Sequence, residues 1–414
     1  MKKNTFAQVA AWPGNEKWDQ LIRRASALYE RADDIRSPFA RDYTRILHSN
    51  AYRRLKHKAQ VFCNIENDHI CTRMEHVTHV ESVSYTISKY LGLNDELTQA
   101  IAAGHDLGHA PFGHQGEKII GELKEEYLGE KFWHEQNSVR FVDDIELLAD
   151  NYNEYRNLDL TYAVRDGIIS HCGEVDENEL RPREELFDLS EFDAPGKYSP
   201  ATWEGCIVKI SDKIAYVGRD IEDAISLGIL ADEQQAELVQ MARANDVHAL
   251  NTTVIMHNMI IDICESSSPE KGICLSPEFL DQLNRIKEFN YKYIYFSDRL
   301  EPFRQYSRFI LRQLFGVLLD AYDEKENGTA TWNRLKEIEK FYPSLAGEFL
   351  AWLARYCDEA SVPTEYSQIS SKCKNKKIYG SLDNRETYIR AIFDYISGMT
   401  DSFAIKAFNE LLSY

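Results

Sequence analysis

Along almost the whole chain apolar residues recur three and four positions apart, and sustained alternation with a period of two is scarce. That periodicity predicts helices packed through one apolar stripe each, so the expected fold class is all-α with little or no sheet. Predicted segments run from Trp18 to Ala32, Arg73 to Leu91, Leu97 to Gly104, Gln136 to Ala149 and Ala163 to His171. Longer ones follow from Trp203 to Ser226, Asp232 to Cys264, Pro277 to Phe289, Pro302 to Tyr322, Trp332 to Tyr356 and Arg385 to Leu412.

Two stretches break the series. Cys172 to Thr202 is dense in Asp and Glu and carries Pro182, Pro195 and Pro200, which predicts a long exposed loop. Cys357 to Asn384 is also irregular and holds Lys372, Lys374, Lys376 and Lys377, read as a solvated charge run.

Composition narrows the class of protein. At 414 residues the chain is longer than a single core usually grows, so one large or two intimate domains are expected. The net charge of -19 argues against general attraction to nucleic acid or to an anionic membrane, and any anionic substrate must be met by a local basic cluster. The eight cysteines fall at irregular spacings without a CxxC, which fits reduced thiols better than a disulfide framework or a zinc finger. No stretch approaches the length of a membrane span, so a soluble, unexported, cytoplasmic protein is expected.

The chemistry concentrates in HDLGHAPFGH, from His105 to His114. Gly108, Pro111 and Gly113 describe a helix end turning into a tight loop that gathers imidazoles. The stripe Leu97, Ala100, Ile101 and Gly104 would bury the preceding helix and hold His105 and Asp106 on rigid support. Imidazole beside carboxylate makes half of a metal site, and two partners are available. His76 lies on the helix from Arg73, one turn from His79. Asp212 begins a polar stripe with Tyr216, Arg219, Asp220 and Asp223, opposite an apolar stripe of Ile207, Ile210, Ile214, Val217 and Ile221.

His76, then His105 with Asp106, then a distant Asp212 resembles the metal signature of the HD-domain phosphohydrolases. The ordered blocks SPFARDYTRILHSNAYRRLKHKAQVF, CTRMEH, HDLGHAPFGHQGE, FWHEQNSVRF, DKIAYVGRDIEDA and DYISGMTDSFA extend the resemblance over nearly the whole chain. They look like bacterial deoxynucleoside triphosphate triphosphohydrolases of the dGTPase type, relatives of the human SAM-and-HD-domain dNTPase. The resemblance implies one helical unit over 1–414, with an HD catalytic core over 36–228 and C-terminal helices over 229–414 packed on it.

It further implies a divalent metal, magnesium, manganese or another transition metal, held by His76, His105, Asp106 and Asp212. The implied reaction releases deoxynucleoside and inorganic triphosphate from dGTP or from dNTPs broadly. His114 with Glu117 is read as the leading acid or base pair, and His109 and His134 match further active-site histidines. Arg73, Lys213 and, more weakly, Arg53 match phosphate contacts; Tyr216 and Asp220 match the sugar-reading pair, and Gln60 a sugar contact. Partners implied are the nucleotide substrate, a homo-oligomer (hexamer or tetramer), and a nucleotide activator or single-stranded DNA, with no membrane. An alternative is another HD phosphohydrolase, a nucleotidase or phosphodiesterase, which would share the four ligands without Tyr216, Asp220 and the arginine-rich block. A catalytically quiet nucleotide-binding or nucleic-acid-binding regulator is a third reading, opposed by the complete set of ligands and acid or base candidates and, for general DNA binding, by the net charge.

Overall fold

The computed structural model describes residues 4–26, 33–63, 67, 69–172, 178–243, 252–323 and 328–412. Among these residues the strands are Leu147–Ala149 and Tyr155–Asn157, one antiparallel pair that sets Leu148 against Arg156. The remaining regular structure is helical, as the periodicity predicts. Packing divides the chain into two compact units, each discontinuous in sequence. One comprises Met1–Leu47, Gln60–Asp106 and Asp159–Glu301; the other His48–Ala59, Leu107–Leu158 and Pro302–Tyr414.

The first unit is built around the Trp203–Ser226 helix, started by the Thr202 hydroxyl, which accepts the Gly205 N–H at 3.1 Å. Its predicted apolar stripe, Ile207 to Ile221, lies in one core with Val83, Ile87 and Leu91 of the Arg73–Leu91 helix. That second helix is closed by Gly92 at φ +84°, a left-handed position that glycine adopts without a Cβ penalty. The Asp95–Gly104 helix packs on both, and on the Tyr162–Ser170 helix. The last contact is a reciprocal notch: a Cβ at Gly104 would overlap Ile168, and one at Gly167 would overlap Ile101. Two missing side chains thus bring these helix ends close together, both leading into histidines.

In the second unit the Gly113–Leu128 helix packs on Arg385–Ser397, with Arg390 donating to Glu130 at 2.7 Å. The His134–Arg140 helix is tied to the same element, since Arg140 and the Tyr379 hydroxyl both donate to the Asp394 carboxylate at 2.8 Å. Among the described residues no helix is long and apolar enough to cross a membrane. All eight cysteines are buried free thiols.

Several predicted boundaries move, each for a local reason. Helix persists only over Trp18–Leu21 of the Trp18 to Ala32 segment, because Asp159 captures the N–H groups of Ala25 and Ser26 and Tyr162 donates to the Arg23 carbonyl; residues 27–32 lie outside those described. The Gln136 to Ala149 segment becomes the His134–Arg140 helix, a wider turn over Phe141–Ile145 and then a strand. Pro343 divides Trp332 to Tyr356, and the Thr400 cap, accepting the Phe403 N–H, starts a new helix after Gly398. Asp232 to Cys264 appears as Asp232–Ala242 and Thr252–Ser266, with 244–251 outside the described residues.

The Cys172 to Thr202 stretch, of which 173–177 lie outside the described residues, is more than an exposed excursion. Leu180, Leu189 and Phe192 are buried, and Arg183 reaches into an ion pair with the buried Asp166. In the lysine-rich stretch, Lys376 pairs with Asp144 at 2.9 Å and Lys377 donates to the Arg355 carbonyl at 2.9 Å, so both are engaged, Lys376 while exposed and Lys377 while half-buried.

Candidate active site

In the first unit, three helices bring four buried or half-buried donors into one cluster, in which single donor atoms of His76, His105 and Asp212 converge and Asp106 adjoins His105. His76 lies in the first turn of Arg73–Leu91, His105 and Asp106 follow the end of Asp95–Gly104, and Asp212 lies midway along Trp203–Ser226. His76 Nε2 stands 3.0 Å from Asp212 Oδ1 and 3.9 Å from Asp106 Oδ2. His105 Nε2 stands 3.6 Å from Asp106 Oδ1 and 3.8 Å from Asp212 Oδ1. Donors at about 2.1 Å from one cation lie about 3 to 4 Å apart, so the spacing suits a shared ion.

The tautomer of His105 supports the same fit. Its Nδ1 donates to the Ala102 carbonyl at 2.7 Å, because a carbonyl oxygen can only accept. In the neutral ring Nε2 then carries the lone pair, directed at two carboxylates. Lone pairs gathered in a buried space repel one another, and a bound cation turns that repulsion into attraction. Two imidazoles and two carboxylates therefore fit a divalent ion. Burial would push the His76 ring toward neutrality, but Asp212 and Asp106 outweigh it and hold the ring's proton affinity above its ordinary value.

Arg73 opens the same helix and is almost wholly buried, with Nη1 donating to Asp106 Oδ2 at 2.7 Å. Its Nε and Nη2 have no hydrogen-bond partner among the described residues. Lys213 is buried beside Asp212 in sequence, and His79 is half-buried and outside the clusters whose donors converge. One turn beyond Asp212 come Tyr216, partly buried against the core, and then Asp220, buried. Gln60 is buried as well, its backbone N–H donating to the Cys71 carbonyl at 3.3 Å.

The second unit gathers the other four predicted residues. Glu117, one turn into Gly113–Leu128, accepts the backbone N–H of His134 at 2.8 Å and faces His134 Nδ1 at 3.2 Å. His114 Nδ1 lies 3.6 Å from the same carboxylate and His109 Nδ1 3.8 Å. His109 and His134 stack with ring centroids 3.8 Å apart. Burial pushes the Glu117 carboxyl up, yet the three imidazoles together hold it well below the usual carboxylate range. His114 is 57% exposed whereas His109 is 2% exposed, so the cluster runs from interior to solvent. Asn137 donates to the Gly108 carbonyl at 2.6 Å and Ser138 accepts its N–H at 2.8 Å, pinning the loop that presents these rings. Arg53 lies exposed on the Asn50–Arg54 helix of this unit.

Two residues were missed from the sequence. Tyr295, in a wider helical turn over Tyr291–Tyr295, donates its hydroxyl to Asp220 Oδ2 at 2.5 Å. Burial and the Asp220 charge hold its phenol well above the ordinary value, so it remains a donor. Seventy-odd intervening residues leave no local sequence signal for this pair. His171 packs edge-on against His105 with centroids 4.9 Å apart; its only signal was a histidine at the end of a predicted helix, as at His105.

Residues 73–217 match the HD domain model, and 375–410 match the phosphohydrolase-associated domain. The chain is similar to the "deoxyguanosinetriphosphate triphosphohydrolase-like protein" of Caldanaerobacter subterraneus subsp. tengcongensis, 31% identical over 94% of this chain and 88% of that one. The protein of the same name from Clostridium perfringens is 32% identical over 92% and 89%, and that from Rickettsia bellii 29% identical over 95% and 97%. With a buried His and Asp cluster that could hold a metal ion inside the matched HD segment, and the likeness running through both packing units, the chain belongs to the deoxyguanosinetriphosphate triphosphohydrolase-like family of HD-domain phosphohydrolases.

Proposed function

We propose that this protein hydrolyses deoxynucleoside triphosphates, dGTP or the dNTPs broadly, to deoxynucleoside and inorganic triphosphate. The observation that carries the reading is Arg73: a buried guanidinium paired at one end with a metal-site carboxylate, with two further nitrogens lacking partners among the described residues. Buried N–H donors without acceptors are costly, and a phosphate oxygen is the acceptor such a fork matches best. His76, His105, Asp106 and Asp212 would hold a divalent ion, magnesium, manganese or another transition metal, which when bound neutralises phosphate charge and acidifies its water.

The chain's own residues divide the remaining work. Arg73 and Lys213 bind the triphosphate, with Arg53 as a further cation. Tyr216 crowds the 2' edge of the sugar and disfavours a hydroxyl there, while Asp220 accepts the 3' hydroxyl. Tyr295 occupies one oxygen of that carboxylate, and a carboxylate accepts more than one hydrogen bond. Gln60 contributes a second sugar contact.

Proton movement falls to the imidazole cluster. Ionised Glu117 fixes a proton on Nδ1 of His134 or His114 and leaves Nε2 to take or give one. In the reaction a water oxygen bonds to the α phosphorus and gives up a proton to a neutral imidazole, the bond from phosphorus to the 5' oxygen breaks, and that oxygen leaves as a hydroxyl after receiving a proton from an imidazolium. Residues 36–228 supply the catalytic core in this reading, and the enzyme works in the cytoplasm as a homo-oligomer.

Incubation with each dNTP and rNTP across a panel of metals, followed by phosphate-product analysis, tests it. Tripolyphosphate with deoxynucleoside is expected. Nucleoside monophosphate with pyrophosphate as the first products would replace the reading with a nucleotidase or phosphodiesterase.

A further inference from the structure

His171 has no role in the family signature described above. It follows the Tyr162–Ser170 helix, is buried, and packs edge-on against His105 with an interplanar angle of 78°. Its Nδ1 donates to the Ile168 carbonyl at 2.6 Å, three residues back. His105 makes the same bond to Ala102. Two helices, locked together through Gly104 and Gly167, thus end in two histidines whose tautomers are set by their own last-turn carbonyls. In both neutral rings Nε2 carries the lone pair.

We infer that His171 is a fifth donor of the metal centre, contributed by a helix outside the HD ligand pattern. Donor atoms of His105, Asp106 and His171 lie within 4.8 Å of one another. Two donors on opposite sides of one ion, each at about 2.1 Å, stand about 4.2 Å apart, so this grouping is on the scale of one coordination sphere. The inference rests on the metal-site reading and deepens it. Three imidazoles with two carboxylates favour manganese, iron, cobalt, nickel or zinc over magnesium, which prefers oxygen.

The test uses metal-free full-length protein titrated with Co²⁺ and with Mg²⁺, reading affinity calorimetrically and the cobalt ligand field by visible absorption. His171→Ala should weaken Co²⁺ binding by about 10- to 100-fold, change the visible bands, and alter Mg²⁺ affinity much less. His171→Asn discriminates a ligand from a structural residue, because the Asn amide can replace Nδ1 toward Ile168 while nothing replaces Nε2. Loss of Co²⁺ affinity in a folded His171→Asn supports the inference, also where His171→Ala fails to fold. Native affinity and spectrum in His171→Asn, with binding lost in His105→Ala, overturn the fifth donor and leave the four-ligand site intact. Native Co²⁺ binding in His105→Ala overturns the centre itself and this inference with it.

Discussion

The two histidine clusters use the same side chain in opposite settings. His76 and His105 are sealed in the interior of the first unit, each within 4 Å of carboxylate oxygens and anchored on a helix. His109, His114 and His134 surround one carboxylate, Glu117, and grade from buried to exposed. Carboxylates interleaved with fixed lone pairs make a buried cage suited to a cation. Imidazoles sharing one anion, with one ring in contact with water, make a group that can take up and release protons. The contrast shows that a histidine's chemistry is set by what its other nitrogen touches and by whether solvent reaches it.

The comparison breaks first if the cage is not a cage. Asp212→Ala and His105→Ala should each lose bound metal, by elemental analysis, and at least about 10³-fold in turnover, with helical content retained. Asp106→Ala should add a stability loss of about 3 to 5 kcal/mol, because it also leaves the buried Arg73 charge without its partner. Wild-type metal content and turnover in any one of the three would require a different ligand set.

The second cluster has the complementary signature. Glu117→Gln should keep its metal and lose about 10²- to 10⁴-fold in kcat, since the amide no longer fixes the imidazole protons. Its pH dependence has a definite sign. The Glu117 carboxyl is held well below its ordinary value in the fold, so its stabilisation is present above the unfolded value and is lost as pH falls through the folded one. The acid limb of a Tm against pH curve should therefore be shallower in Glu117→Gln; an unchanged limb would separate Glu117 from its imidazoles.

Smaller effects belong to the residues proposed to meet the sugar. Asp220→Ala should weaken kcat/KM for dNTPs by about 1.5 to 3 kcal/mol and Tyr295→Phe by about 0.5 to 1.5 kcal/mol, both at full metal occupancy. Equal losses in the two would make Tyr295 a direct contact instead of a support for Asp220. Tyr216→Ala should change dNTP turnover least while relaxing discrimination against rNTPs. Unchanged selectivity there would show that the 2' position is read elsewhere.

Much of this was available from the chain read as a string. Helix periodicity reports local geometry, so the Arg73–Leu91 and Trp203–Ser226 helices appear with their predicted bounds and with Ile207 to Ile221 facing the core. His76, His105, Asp106 and Asp212 were legible as a candidate ligand set through the resemblance to the HD pattern, with a spacing that agrees with helices of fixed pitch. Tertiary structure alone decided what lies on the other side of each residue. Arg73 read as a phosphate contact, yet its place in a buried pair with Asp106 depends on two helices meeting. Tyr295 and His171 entered because residues far apart in sequence share a few ångströms, His171 beside His105 where the notches at Gly104 and Gly167 bring two helix ends together. Glu117 looked like the partner of His114, one turn away, and proved to be the hub of three histidines and the acceptor for the first N–H of another helix. Local patterns follow from short-range sterics and turn geometry, whereas burial, charge pairing and tautomer follow from packing, which the sequence encodes only through the whole fold.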